Sequence, residues 1–106
     1  MDEQAFRARA RDTLRRIRDA VDALPTDAVD PSLVDGVLTL EFEGGDAWVL
    51  SQQVPVGELW LAADRHAWHL VPDGDGWRER GSGEALEALL GRLLAARLGV
   101  PVDLGG

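Results

Sequence analysis

Apolar residues recur along the first quarter of the chain at three- and four-residue steps: Phe6, Ala10, Leu14, Ile17, Val21 and Leu24. That spacing places them on one stripe and predicts an amphipathic helix over residues 3–24. Pro25 closes it, and residues 25–35, with three aspartates and two prolines, read as an acidic connector. From Leu33 the period changes to two. Residues 37–43 alternate with Leu38, Leu40 and Phe42 inward, Gly44-Gly45 marks a hairpin, and residues 47–51 return. Residues 59–63 make a third strand, and Asp64-Arg65-His66 turns the chain into a fourth at 67–71. Asp73-Gly74-Asp75-Gly76 turns into a short fifth at 77–80. Beyond it Leu86, Leu89, Leu90, Leu93 and Leu94 form a second helical stripe. Ser82 is its expected N-cap and Gly99 its C-cap, with Pro101 preventing continuation.

These elements predict an α+β fold: a two-layer sandwich of helix, five-stranded antiparallel sheet and helix. Both single-striped helices must cover one sheet face, which leaves the other open. The 106 residues make one domain, with an ordered core at about 3–99 and a short, loose C-terminal tail. By alternation Leu59 and Leu61 point inward while Glu58, Trp60 and His69 stand on the open face. Trp48, Trp68 and Trp77 read as packing residues, Trp68 with the parity of Leu70 and so facing the helices.

Composition narrows the chemistry. The absence of cysteine removes disulfides, thiolate ligands and thiol nucleophiles together. Nineteen acids against eleven arginines give a net charge of −8, which excludes nucleic acid and favours cations or basic protein surfaces. The polar start, Met1-Asp2-Glu3-Gln4, has no secretory pattern, and no apolar run spans a membrane, so the expected location is cytoplasmic. Asp12, Asp19 and Asp22 lie off the helical stripe. Asp27, Asp30 and Asp35 follow in the connector, and Glu41 and Glu43 on the first strand's outer face. Together they suggest one electronegative edge of oxygen donors for hard cations. Arg11, Arg15, Arg16 and Arg18 interleave at ion-pairing steps, Asp12 with Arg15 and Arg16 and Arg18 with Asp22, which equally describes a solvated mixed face. His66 and His69 stand three apart on an extended chain and so point to opposite faces. The 73–84 stretch lacks the oxygen ligand and glycine that a calcium loop needs at its centre. No motif marks a nucleophile or an acid–base pair, so no enzyme is expected.

The run Gln53-Val54-Pro55-Val56-Gly57-Glu58-Leu59-Trp60-Leu61-Ala62 resembles the frataxin signature, Gln-x-Pro-x-x-Gln followed by aliphatic, Trp, aliphatic, with Glu58 at the second glutamine. The element order is similar to the frataxin sandwich over roughly residues 3–99. The resemblance implies an accessory or regulator of iron–sulfur cluster assembly that binds iron weakly through carboxylates and docks on the cysteine desulfurase and the scaffold protein. It implies a monomer that iron drives to oligomerise. Carried over by position, the iron-binding ridge comprises Glu3, Asp19, Asp22, Asp27 and Asp30, with Arg18 and Ala23 where relatives carry acids. The partner-binding set comprises Ser51, Gln53, Glu58, Trp60 and His69. The alternative is a metal-independent interaction module that uses the open sheet face alone.

Overall fold

A computed structural model describes residues 1–105. Helix α1 runs Glu3–Asp22, and its first turn is capped by Asp2, whose carboxylate accepts the Ala5 N–H at 2.7 Å. It buries Phe6, Ala10, Leu14, Ile17 and Val21 of the expected stripe, plus Thr13. Thr13 is buried because its hydroxyl accepts the Trp77 indole N–H at 2.8 Å, a polar pair that satisfies both groups inside the core.

Six strands follow in sequence order as an antiparallel meander: β1 (Val29–Val34), β2 (Val37–Phe42), β3 (Ala47–Gln53), β4 (Glu58–Ala63), β5 (His66–Asp73) and β6 (Gly76–Glu79). Helix α2 (Leu86–Leu98) closes the chain. The two-layer α+β sandwich holds, with one strand more than expected. The addition is β1, whose sequence Val-Asp-Pro-Ser-Leu-Val reads as connector because a proline and an aspartate mask its alternation. Pro31 is tolerated since β1 is an edge strand. The Asp35-Gly36 pair makes its two-residue hairpin turn, both residues having positive φ (51° and 76°). At Gly36 the positive φ is what favours glycine, since the only close neighbour of an added Cβ, the Gln52 amide nitrogen at 2.6 Å, is the movable end of a flexible side chain.

Leu38, Leu40, Phe42, Trp48, Leu50, Leu59, Leu61, Leu70 and Trp77 form the sheet's half of the core, and Leu86, Leu89, Leu90 and Leu94 that of α2. Trp68 packs half-buried against this core, on the helix side as its parity required. Two terminal expectations change. The N-cap of α2 is Ala85, without a side-chain cap, while the Ser82 hydroxyl accepts the Glu84 N–H within the preceding loop. Gly99 does cap the C-terminus in the left-handed conformation. The tail after it is anchored, not loose: Leu104 is only 5 % exposed and joins the core. Its apolar side chain gains burial by folding back onto α2, where the Gly91 surface meets the Val102 carbonyl. Gly106, the last residue of that tail, lies outside the described residues.

Candidate functional site

The start of β1, the β2–β3 turn and the β4–β5 turn lie at the end of the sheet where α1 finishes, since Val29 pairs with Phe42 and the Glu43 N–H donates to the Ala28 carbonyl. Asp22, Asp27 and Asp30 line one open concavity of about 580 Å³ there, with Leu24, Pro25, Thr26 and Val29. Asp19 lies one turn before Asp22 and meets Arg18 at 3.0 Å. Glu3 is not brought to them. It opens α1, pairs with Arg7 at 3.2 Å, and stands about 28 Å from Asp22 along the helix axis. The ion pairs expected for a solvated face also differ. Arg16 reaches across to Glu87 of α2 at 2.7 Å, and neither Asp12 nor Asp22 has an ion-pair partner among the described residues.

Two local rules are broken at this end. The last turn of α1 contains no basic residue and ends on Asp22, although the helix dipole places partial negative charge there. On the open face Asp30 sits directly opposite Glu41, a like-charge cross-strand pair. Arg97, one of the cations at this end, is engaged at its far corner. It makes two hydrogen bonds to Asp46 at 2.7 and 2.6 Å, lies 3.9 Å from Asp64, and stacks over the Phe42 ring at 4.1 Å. Among the described residues no group of three His, Cys, Asp or Glu side chains is close enough to hold a metal ion. Hard cations would meet spread carboxylates with most of their own hydration retained.

The open face carries the second set. Trp60 pairs across β3 with Ser51 and across β5 with His69, and Gln53 pairs with Glu58, so the five residues read from the sequence are neighbours. The Gln53 amide donates to the Ser51 hydroxyl at 3.1 Å. Trp60 is 36 % exposed and lies parallel to the His69 ring, with centroids 4.7 Å apart. Its indole N–H donates to Glu58 at 2.8 Å. Glu58 is only 8 % exposed although it belongs to the solvent face, because Trp60, His69 and Arg80 cover it. Arg80 approaches the other Glu58 oxygen at 3.5 Å and donates to His69 Nδ1 at 3.1 Å. A guanidinium can only donate, so His69 Nδ1 is the acceptor in this contact.

Arg80 is the member of this cluster that sequence reasoning missed. Its N–H extends the β5–β6 ladder to the His69 carbonyl, which sets its side chain beside His69. The signal lies in the strand expected at 77–80, where an inward Trp77 leaves Arg78 and Arg80 on the face of His69. His66 pairs with Ala63 of the core-facing set, so the two histidines leave opposite faces.

Comparison with known proteins agrees with the fold and the residue pattern. The frataxin-like domain matches residues 1–100. A protein of Pseudomonas aeruginosa named iron-sulfur cluster assembly protein CyaY is 40 % identical over 103 residues, covering 86 % of this chain and 95 % of that protein. A protein of the same name from Cupriavidus pinatubonensis is 34 % identical over 109 residues, covering 99 % and 97 %. The solved frataxin from Psychromonas ingrahamii superposes with a TM-score of 0.92 over the whole of both chains at 23 % identity, which speaks to the fold alone. The chain therefore belongs to the frataxin-like family.

Proposed function

We propose that this protein is an accessory of iron–sulfur cluster assembly, cytoplasmic and without turnover of its own. It takes iron weakly at the acidic end and docks on the cysteine desulfurase and scaffold complex through that end and the Trp60 face. The family and the names of the relatives support the pathway. The observation that carries the site is the pair of broken rules at one end of the molecule. A carboxylate at a helix C-terminus and two facing carboxylates each destabilise by roughly 0.2–1 kcal/mol. Local choices that oppose the fold cluster where function requires them. Iron is cargo in this reading. Asp22, Asp27 and Asp30, with Asp19 beside them, offer hard oxygen donors without a closed cage, which suits weak and exchangeable binding.

Anaerobic titration of ¹⁵N-labelled protein with ferrous iron tests it. Broadening and shifts are expected at Asp19, Asp22, Asp27, Asp30 and their neighbours, and not at Glu3. A second reading, an interaction module without a metal role, draws on the organised Glu58–Trp60–His69–Arg80 cluster. A titration without any localised response leaves that reading in place and removes the first.

A further inference from the structure

We infer that Glu58 and Arg80 preset the Trp60 side chain for docking, as positioning residues of the open face. The inference rests on the reading that this face meets a protein partner. An exposed tryptophan on a strand ordinarily samples several rotamers, and a partner must select one of them. Here the ring is held from two directions before any partner arrives. His69 stacks on one face with an interplanar angle of 11°. Glu58 fixes the edge through the 2.8 Å bond from the indole N–H. A carboxylate two residues away on the same strand would otherwise turn to water. Arg80 prevents this by lying against the second Glu58 oxygen, and it secures His69 at the same time. Arg80 is thus the keystone of a three-sided clamp, while its own side chain remains 59 % exposed.

The clamp has a consequence for the partner. The indole N–H already has its acceptor, so the partner owes it no hydrogen bond and meets Trp60 through apolar contact. Glutamine at position 58 would supply the same carbonyl-type acceptor without the charge that Arg80 answers.

The test uses the intact protein with four substitutions: Glu58→Ala, Glu58→Gln, Arg80→Ala and Trp60→Ala. In the free protein the ¹H–¹⁵N heteronuclear NOE of the Trp60 indole, assigned by its loss in Trp60→Ala, is expected to match that of the ordered backbone. Glu58→Ala lowers it clearly, Arg80→Ala lowers it less, and Glu58→Gln keeps it close to the parent value. Affinity for the purified cysteine desulfurase–scaffold complex follows the same order, with a loss of roughly three- to tenfold for Glu58→Ala, as expected when one side chain must be immobilised on binding. An unchanged indole NOE in Glu58→Ala, or unchanged affinity in that variant while Trp60→Ala binds weakly, overturns the clamp and leaves the open-face reading standing. Undiminished docking by Trp60→Ala removes the open-face reading itself, and this inference with it. Arg80→Ala, which touches only an exposed side chain, decides the matter should Glu58→Ala not fold.

Discussion

At the scale of single residues, Asp46 and Glu79 show how a few donors tie charge to stability. Two hydrogen bonds from Arg97 hold the Asp46 carboxyl below its ordinary value of 3.8, with desolvation opposing them. The Gly81 N–H first, and the Ser82 N–H after it, hold Glu79 below its ordinary 4.5. A carboxyl with a depressed folded-state value contributes stability that is present above its unfolded value and is lost as the pH falls through the folded one. Unfolding midpoints in urea are therefore expected to drop below about pH 4.5, through the window set by these two groups. Asp46→Asn should flatten that drop below about pH 4, and an unchanged slope would show the Arg97 contact to be idle in solution. Glu58 marks the limit of reading residues from sequence. Alternation put it on the solvent face, as found, yet only the tertiary structure brings Trp60 of β4, His69 of β5 and Arg80, just past β6, together over it.

Elements were legible where one physical signal dominated. The stripe of α1 and the glycine that stops α2 followed from periodicity and capping chemistry. β1 was not legible, because edge strands accept proline and charge, the residues that otherwise argue against a strand. The Asp35-Gly36 turn was its one clear signal. The tail was misread for a related reason: a single leucine among Pro101, Asp103 and glycine has no period, so nothing local says that it packs. Burial of Leu104 predicts a sizeable role. Leu104→Ala is expected to cost about 2 kcal/mol, the lower end for a buried leucine since the tail can settle into the gap. In a domain of this size that is a fall of roughly 10 °C in Tm. A melt within a degree or two of the parent would mean that the tail does not stay docked.

On the scale of the whole molecule, charge is distributed against stability at one end. Asp22 opposes the α1 dipole and Glu41 faces Asp30. Reversing both, in Asp22→Arg/Glu41→Arg, should raise Tm by a few degrees, the sum of two small electrostatic gains. The same variant is expected to lose most of its affinity for the desulfurase complex. A more stable protein that docks less well separates a site from a scaffold, whereas retained docking at moderate salt would put the acidic end outside the interface. The sequence by itself determined the layers, the meander, the open face with its tryptophan and the excess of acid, because these follow from local period, turn chemistry and composition. Tertiary structure decided which acids stand together, leaving Glu3 at the far end of α1 and gathering Asp22, Asp27 and Asp30 around one concavity. It also brought Arg80 to Glu58 across two strand pairings. Such meetings depend on strand register and on how a helix ends against a sheet, and those distances are set by long-range packing that no local pattern of residues encodes.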